Sequence, residues 1–303
     1  MPLGVAMEFN EVEIWPRETG ILDLPDDWPS LEIPEMRKVS DDWQLLKEHT
    51  EGSDSLTQLT ESLSREWAIE TGQIENLYEI ERGVTRSLIE SGFSAAILEP
   101  GSVNRDPAYV LRLLNDQKDA LEGLFDFVAG RCTLTVGYIK ELHAALTRSQ
   151  DEVEAIDERG IKHRVAMLHG QFKKLPNYPV RGDTIYSYCP PEQTDSEMDR
   201  LVAMHLAHSS MEVPPEIESA WLHHRFTQIH PFQDGNGRVA RALASLVMIR
   251  ARLFPVTIPL DEKPTYLDVL ERADAGNLRP LVLTIARRQE AYLRRARSFL
   301  AKH

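Results

Sequence analysis

The residues of this chain that could do chemistry are concentrated in one short stretch, residues 230–241, which reads HPFQDGNGRVAR. The segment before it, 216–229, has the apolar periodicity of a half-buried helix, and Pro231 ends that helix. His230 is therefore expected at a helix terminus that faces a loop. Because an imidazole titrates near neutrality and can take a proton from an incoming hydroxyl, His230 is a candidate general base.

The glycines and arginines of the stretch suit a polyphosphate. Gly235 and Gly237 allow positive φ angles and bring backbone N–H groups together, and the turn opens into a helix predicted over 237–252. The N-terminal N–H groups of a helix attract anions. Arg238 and Arg241 are three residues apart on that helix, so both guanidiniums are expected on one face above the turn.

Two further residues complete the predicted site. Asp234, immediately before the turn, could hold a Mg²⁺ ion that bridges phosphate oxygens, because Mg²⁺ keeps several waters and needs only one or two carboxylates. Phe232 is expected to anchor the loop in the core. A histidine at a helix end and a Gly-Asn-Gly turn are each usually structural, but together at this spacing they favour a site for a metal-bound polyphosphate.

Two other classes of protein are alternatives. A metal hydrolase is suggested by the many histidines near the stretch, although no second carboxylate stands at a recognised zinc spacing. These histidines are His205, His208, His223, His224 and His230. The second alternative is a non-catalytic module that senses a nucleotide. The presence of His230 argues against it, because phosphate sensing does not need a base.

The charge and hydropathy of the chain disfavour several partners. The formal net charge is −14 over 303 residues, and the first sixty residues are its most acidic part. An acidic protein repels nucleic-acid backbones, so nucleic acid is not expected as the main partner. There is no run of 18 apolar residues and no apolar leader, and the only cysteines are Cys132 and Cys189. The sequence therefore predicts a cytoplasmic protein with reduced thiols and no membrane partner.

Around the stretch, the sequence predicts a mainly α protein. Residues 1–50 are an acidic, Pro- and Trp-containing arm, irregular to about residue 40, whose tryptophans are expected to pack onto the main body. Helical periodicity dominates from residue 41 onward. Helices are expected near residues 41–49, 55–70, 73–92, 107–128, 134–149, 194–209, 215–229, 237–252, 263–275 and 278–301.

Residues 163–191 break the helical pattern. They contain β-branched and aromatic residues, bracketing prolines and a Gly182-Asp183 turn, which predict a β-hairpin. An ordinary surface loop is the alternative. The exposed edge of a hairpin can accept an extended peptide as an additional strand.

The stretch 230–241 resembles the Fic (filamentation induced by cAMP) motif, H-x-F-x-[DE]-G-N-G-R-x-x-R, and matches it at every defined position. The resemblance covers about residues 55–290. It implies a Fic-fold helical bundle over residues 51–303 with one β-hairpin flap at about 163–191. The implied reaction is the transfer of AMP from ATP to a Tyr, Ser or Thr hydroxyl of a target protein, with release of pyrophosphate.

The resemblance also implies a role for each residue of the motif. His230 would deprotonate the target hydroxyl, Asp234 would coordinate Mg²⁺, and Arg241 would meet the γ-phosphate of ATP. Phe232 would anchor the loop. The residues that would hold the nucleotide and its phosphates are Gly235, Asn236, Gly237, Arg238, Arg241 and Tyr266.

Upstream, residues 71–76 read TGQIEN and resemble the Fic inhibitory motif [ST]-x-x-x-E-[GN]. The resemblance implies an inhibitory helix over about residues 71–92, in which Glu75 forms a bidentate pair with Arg241. That pair would occupy the guanidinium that the γ-phosphate needs. ATP could then bind only in an unproductive pose.

The partners implied by the resemblance are proteins. A target segment would add as a strand to the flap, the chain would also modify itself, and assembly into a homo-oligomer stays open. Some family members use other nucleotide donors or remove AMP, and both stay alternatives here. Asp274 stands where the family often has Asn, so the contacts to the base do not follow from the sequence.

Overall fold

The computed structural model describes residues 10–156, 162–178, 180–181 and 184–302, and this part of the chain is mainly helical. Its α-helices are α1 (Pro34–Thr50), α2 (Asp54–Ile74), α3 (Arg82–Ser91), α4 (Pro107–Ala129), α5 (Val136–Thr147), α6 (Pro191–Ser210), α7 (Pro215–Ile229), α8 (Asn236–Arg250), α9 (Lys263–Asp274) and α10 (Arg279–Leu300). Short 3₁₀ turns cover Trp28–Leu31 and Leu260–Glu262. The predicted mainly α fold is confirmed. Among these described helices, none combines the length and apolar character needed to cross a bilayer.

Helices α7 and α8 form the centre of the molecule. Every residue of α7 except Pro215 and Thr227 is buried, and α8 is buried from Arg238 to Ile249. A helix that is buried all round needs neighbours on every side. Helices α2, α4 and α5 contact α8, while α6, α9 and α10 contact α7. The loop that joins α7 to α8, residues 230–235, is therefore held by a rigid, fully packed pair.

The prediction of one continuous helix over residues 73–92 is wrong, because residues 75–81 separate two helices. Helix α2 continues to Ile74, Glu75 is its C-terminal cap, and a helix resumes only at Arg82. The expected inhibitory helix at about 71–92 is thus the last turn of α2, a reversal of the chain, and the separate helix α3. Glu75 lies at a helix end instead of within a helix.

The reason for this break is a left-handed residue. Asn76 has a φ angle of 54°, and Asn is one of the residues that tolerate this conformation. The N–H of Asn76 donates to the carbonyl of Gln73, and the N–H of Leu77 donates to the carbonyl of Gly72. These two bonds satisfy the last carbonyls of α2 in a Schellman ending. The Asn after Glu75 therefore stops the helix and fixes where the carboxylate points.

The N-terminal arm packs onto the main body. Trp15 and Ile21 are buried in the same core as α7 and α8. The indole N–H of Trp15 donates to Gln193 Oε1 on α6 at 3.2 Å, and that of Trp221 on α7 donates to the carbonyl of Leu22 at 3.1 Å. The regular helix α1 begins at Pro34, earlier than expected, because proline suits the first turn of a helix.

The described strands form two small sheets. Strand β2 (Glu152–Ile156) pairs antiparallel with β3 (Lys162–Ala166). Strand β5 (Thr184–Ser187) lies between β4 (Val180–Arg181), to which it is antiparallel, and β1 (Asn10–Glu13), to which it is parallel. A single hairpin over 163–191 is therefore wrong, since β3 pairs with β2 before it and, within the described part of that range, only β4 and β5 pair with each other. The Gly182-Asp183 turn lies outside the described residues.

The segment between β3 and β4 supports the loop after α7 instead of extending a hairpin. The N–H of Lys173 donates to the carbonyl of Pro231 at 2.8 Å, and its ammonium donates to the carbonyl of Ile229 at 3.3 Å. The amide of Asn177 donates to the carbonyl of Phe232 at 3.0 Å. Burial lowers the pKa of Lys173 to about 8. These bonds attach the segment to the loop that follows α7.

Candidate active site

His230 ends α7 in a left-handed conformation, with a φ angle of 49°. Its N–H still donates to the carbonyl of Phe226 at 3.0 Å, so the helix closes on the histidine itself. The ring is half-buried, with Nδ1 3.3 Å from the carbonyl of Thr227 and the ring of Tyr188 stacked on it at 4.0 Å. A carbonyl next to Nδ1 favours the tautomer with the proton on Nδ1, which leaves the lone pair on Nε2. The geometry suits a general base.

The loop after His230 is closed by Asn236. The side chain of Asn236 accepts from the N–H of Phe232 at 2.9 Å and donates to the carbonyl of Phe232 at 2.8 Å. Phe232 itself is buried and stacks on His143 with ring centres 3.8 Å apart. Phe232 therefore lies in the core as its predicted role requires. Because the Asn236 side chain is committed to the loop, its backbone N–H at the start of α8 is the group that can meet an anion.

Glycine is required at positions 235 and 237 for different structural reasons. Gly235 has a φ angle of 79°, and an added Cβ would lie 3.0 Å from Thr147 Cγ2 and 3.2 Å from His143 Nε2. Gly237, on the first turn of α8, has no Cβ because that space holds the Glu75 carboxylate, with which a Cβ would overlap. Gly235 thus makes the turn, and Gly237 keeps the helix terminus open to an anionic group.

Asp234 carries an ionised carboxylate at the edge of the site. Its Oδ2 accepts from Gln150 Nε2 at 2.6 Å and lies 3.4 Å from Arg238 Nη2, and 39 % of the side chain is exposed. Burial acts to raise the pKa of this carboxyl, but the charge of Arg238 and the hydrogen bonds from Gln150 and Gly235 outweigh it and lower the pKa. A charged, partly exposed carboxylate fits one protein ligand of a Mg²⁺ ion.

The sequence predicted that the guanidiniums of Arg238 and Arg241 would lie together above the turn. In the structure they point in different directions. Arg238 is fully buried and points towards the end of α5, where it donates to the carbonyl of Leu146 at 3.0 Å and to Gln150 Oε1 at 2.7 Å. Arg241 points the other way, towards the end of α2. Arg238 therefore fixes Asp234 and Gln150, and Arg241, although also buried, is the one of the two arginines that borders a cleft.

Arg241 and Glu75 form an ion pair through one guanidinium nitrogen. Arg241 Nη2 donates to Glu75 Oε1 at 2.8 Å and to the carbonyl of Thr71 at 3.0 Å. The expected bidentate arrangement is therefore replaced by a single contact shared with the backbone of α2. Burial lowers the pKa of the Arg241 guanidinium, but Glu75 outweighs it and raises the pKa, so the arginine is charged.

A cleft of about 250 Å³ opens between these groups. It brings together residues from α2, α7, α8, α9 and the β5 region. Of the predicted site residues, those that line it are Glu75, His230, Gly237, Arg241 and Tyr266. The others, Phe232, Asp234, Gly235, Asn236 and Arg238, build the loop beside the cleft and do not line it.

Tyr266 forms the wall of the cleft next to Arg241. Its hydroxyl lies 2.6 Å from His223 Nε2 and is also hydrogen-bonded to Arg241. Burial lowers the pKa of His223 to about 3, so this histidine is neutral and accepts the Tyr266 proton. At the far end of the cleft, Asp274 accepts from His224 Nε2 at 2.8 Å.

Two supporting residues were missed in the sequence, His143 and Gln150. The N–H of Gly170 donates to His143 Nδ1 at 2.9 Å, so Nε2 carries the proton and donates to the carbonyl of Asp234 at 2.9 Å. Burial lowers the pKa of His143 to about 4, which keeps the ring neutral. The available signal was a polar stripe on an apolar helix, since His143, Thr147 and Gln150 recur at helical spacing.

The histidines that suggested a metal hydrolase bind protein partners at different places and do not form one cluster. His205 Nδ1 and His208 Nδ1 each lie 2.6 Å from an oxygen of Glu218, whereas His223 bonds Tyr266 and His224 bonds Asp274. Within the described part of the chain, no three His, Cys, Asp or Glu side chains are placed to hold a metal together. Both cysteines are free thiols.

Comparison with known proteins identifies the domain that contains this cleft. Residues 133–248 match the Fic/DOC family. The central part of this chain is therefore similar to a Fic domain. The match includes α5, both small sheets except β1, and α6 to most of α8, and therefore His230 and the whole loop that follows it.

Proteins similar to this chain are named as adenylyltransferases. It is 28 % identical to protein adenylyltransferase fic-1 of Caenorhabditis elegans over 219 residues, which are 70 % of this chain and 37 % of that protein. It is 31 % identical to protein adenylyltransferase Fic of Culex quinquefasciatus over 156 residues, 49 % of this chain and 30 % of that protein. The chain thus spans about a third of the length of these curated relatives.

Solved structures share the fold. A Fic domain containing signaling protein from Bacteroides thetaiotaomicron superposes with a TM-score of 0.67 and 21 % identity, covering 87 % of this chain and 97 % of that one. Residues 134–508 of Fic-1 from C. elegans superpose with a TM-score of 0.63 and 23 % identity, covering 88 % and 73 %. The Fic fold expected from the motif is confirmed.

Proposed function

We propose that this protein transfers AMP from ATP to a hydroxyl side chain of a target protein and releases pyrophosphate. The observation that carries the proposal is the shared cleft of His230 and Arg241, with the N-terminus of α8 between them. A base, a buried cation and a helix N-terminus facing one cavity are what a phosphoryl-type transfer needs, since it depends on positioning and charge neutralisation. The names of the relatives support the same reaction.

His230 takes the proton in this proposal. The carbonyl of Thr227 holds the imidazole by Nδ1, so Nε2 can accept the proton of the target hydroxyl. The hydroxyl oxygen then attacks the α-phosphorus of ATP in line. A new P–O bond forms as the bond to the β-phosphate oxygen breaks, and pyrophosphate leaves with that electron pair.

The phosphates are held by backbone and side chain together. The N–H groups at the start of α8, from Asn236 and Gly237, attract the phosphate oxygens, and Arg241 neutralises the γ-phosphate. Asp234 is the residue that would hold Mg²⁺, which supplies further charge neutralisation when bound. Arg238 contributes indirectly, because its positive charge keeps the Asp234 carboxylate ionised and in position. Tyr266 lines the cleft beside Arg241 and is proposed to contact the nucleotide.

Glu75 is proposed as a brake on this reaction. Its carboxylate fills the space that Gly237 leaves open and bonds the Nη2 atom of Arg241. A γ-phosphate at Arg241 would meet the Glu75 carboxylate, and two anions repel each other at contact distance. Productive binding of ATP therefore requires that Glu75 moves away or is removed.

The test is the intact mass of the protein after incubation with ATP and Mg²⁺. We expect an added AMP in the Glu75→Gly protein and none when His230→Ala is combined with it. His49→Ala, which changes an exposed histidine on α1, is the matched control and should retain the adduct. An adduct of unchanged yield in the His230→Ala protein would overturn the assignment of the base.

The wider context of the reaction is proposed on the resemblance alone. A protein target would bind by adding a strand to the hairpin of β4 and β5, and the chain would modify itself in the absence of a target. The protein would act in the cytoplasm, as a monomer or a homo-oligomer. Incubation with each of the four ribonucleoside triphosphates would show whether ATP is the preferred donor.

A further inference from the structure

Strand β5 is not a free edge in this protein. Its register pairs Val12 with Tyr186 and Glu13 with Ser187, so residues 10–13 of the arm lie along it in parallel. The contact continues beyond the strand, because the N–H of Ile14 donates to the carbonyl of Ser187 at 2.9 Å and that of Trp15 reaches the same carbonyl at 3.3 Å. With β4 on the other side, β5 is the middle strand of three.

The arm also enters the cleft. Ile14 lines the cavity together with Tyr186, Tyr188 and His230. Tyr188 stacks on the His230 ring, and Ile14 follows the residue that pairs with Ser187, so Ile14 and Tyr188 continue the two paired strands into the cleft. Its neighbour Glu13 is exposed and does not line the cleft. A residue of the arm therefore lines the same cleft as the proposed base.

We propose that residues 10–14 are a built-in pseudosubstrate, with Ile14 in the place of the hydroxyl-bearing residue of a target. The proposal rests on the proposed AMP transfer. Isoleucine has no hydroxyl, so His230 has no proton to take and no oxygen can attack the α-phosphorus. A target segment that adds to β5 has to displace the arm first. This brake acts on the protein substrate and is separate from Glu75, which acts at the phosphates.

The arm is held beside β5 by hydrogen bonds that residues 19–21 form with α6. The N–H of Ile21 donates to Glu197 Oε2 at 2.9 Å, and Arg200 Nη1 donates to the carbonyl of Thr19 at 2.7 Å. Both partners are on α6. These bonds keep residues 10–14 at a high effective concentration beside β5, which favours the intramolecular strand over a target added from solution.

The first experiment places a hydroxyl at this position in the full chain. Ile14→Tyr is combined with Glu75→Gly, incubated with ATP and Mg²⁺, and mapped by peptide mass spectrometry. We expect AMP on residue 14, with the oxygen–phosphorus bond formed as pyrophosphate leaves. Glu13→Tyr in the same background is the matched control and should carry at least tenfold less AMP at residue 13. Equal modification of the two, or AMP elsewhere but none at residue 14, would overturn the placement of Ile14.

The second experiment tests displacement with a substrate in trans. The probe is a peptide of residues 10–17 carrying Ile14→Tyr. The strand N–H groups of residues 12 and 14 point the same way, so Val12→Pro with Ile14→Pro removes the donors towards β5, and Val12→Ala with Ile14→Ala keeps them. In the Glu75→Gly background, the proline form should label the peptide at least fivefold faster than the alanine form. Equal rates would show that the arm is no barrier.

The two experiments separate failure of the pseudosubstrate from failure of the reaction. Self-modification of the Glu75→Gly protein at any residue establishes AMP transfer without reference to the arm. Transfer that spares residue 14 therefore counts against the pseudosubstrate alone. If no residue and no peptide receives AMP, the proposed function fails, and the inference that rests on it fails with it.

Discussion

Arg241 is the residue on which both the proposed catalysis and the proposed restraint depend. Its guanidinium is 1 % exposed, and its charge is balanced by a Glu75 side chain that is 23 % exposed. A buried cation is costly without a partner, so Arg241 needs either a carboxylate or a phosphate. The structure supplies the carboxylate. An incoming γ-phosphate would supply the same charge, so the two compete for one guanidinium.

Removal of that carboxylate should increase the proposed AMP transfer. We expect Glu75→Gly to raise the rate of self-modification roughly tenfold or more, because a charge-assisted hydrogen bond contributes about 1.5–3 kcal/mol. The measurement is incorporation of labelled ATP into the protein over time. Glu79→Gly, four residues further along and exposed, serves as the control and should behave as the unmodified chain. A Glu75→Gly protein with unchanged or lower labelling would exclude Glu75 as a brake.

At the scale of elements, the end of α2 sets the position of Glu75. Gly72 packs under Tyr78, where an added Cβ would overlap the phenol, and the Tyr78 hydroxyl donates to the carbonyl of Ala68 at 3.0 Å. The chain therefore folds back on the last turn of α2 directly after Asn76. This reversal holds Glu75 at a helix end, where the carboxylate projects across to α8.

The left-handed residue at this reversal gives a second prediction. Asn76→Val should destabilise the protein by roughly 1–2 kcal/mol, since a β-branched residue is strained in the left-handed region, and should raise self-modification because Glu75 loses its fixed position. Asn76→Gly relieves the strain and should stay close to the unmodified chain. Both variants lose the bond from Lys263 Nζ to Asn76 Oδ1, so the loss of that bond does not distinguish them. Urea unfolding and labelled ATP are the measurements; equal stability of the two variants would contradict the account.

Elements were predictable where one periodicity holds over a long segment. Helices α4, α7 and α10 were expected within a few residues of their bounds, because their apolar residues recur every three or four positions. The break at Asn76 was missed because the polar Asn fits the exposed side of a helix equally well. The pairing of β1 with β5 was missed because it joins residues far apart in the sequence, and four-residue strands carry little pattern.

The site was predictable to the extent that it is local. The motif marked His230, Asp234 and Arg241 because one loop and one helix terminus bring them together. The direction of Arg238 did not follow, because residues three apart on a helix can point to different neighbours once α5 and α2 are packed on either side. His143 and Gln150 come from α5 and the loop after it, so only the tertiary packing shows that they hold the loop.

At the scale of the whole molecule, the arm is tied to α6 and α7 by a polar network that begins at the exposed Asp23 and continues into the core. His208 Nδ1 contacts Glu218, and its Nε2 lies 2.7 Å from Asp23 Oδ1 on the arm. Glu218 also contacts His205, whose Nε2 lies 3.3 Å from Arg250 Nη1. Burial acts to lower the pKa of His208, but Glu218 and Asp23 outweigh it and raise the pKa above its ordinary value.

This network predicts a pH-dependent stability. Since the folded pKa of His208 is raised, its contribution is complete below the unfolded pKa of about 6.5 and is lost as the pH rises through the folded value. Asp23 has a lowered pKa because His208 and the Leu24 N–H outweigh burial, so its carboxylate stays charged throughout this window. The free energy of unfolding should fall by roughly 1.5 kcal/mol from the His208 contact as the pH rises from about 6 to about 9.

The measurement is urea unfolding of the unmodified chain and of His208→Gln at both ends of that pH range. The difference between the two proteins should be larger at the acidic end and shrink at the basic end. His49→Gln, on an exposed position of α1, corrects for general effects of removing a histidine. A difference that grows with pH would show that the histidine is neutral in the folded protein.

The position of β5 between two strands has a consequence for the protein in solution. An uncovered strand edge presents unpaired N–H and C=O groups, which pair readily with the edges of other molecules. Residues 10–13 cover that edge, so displacement of the arm leaves the edge of β5 unpaired until a target segment binds to it. The displaced arm of one molecule then matches the open edge of the next, which is the condition for an exchange of arms between chains. By covering β5, the arm therefore reduces association between copies of the protein through this strand edge.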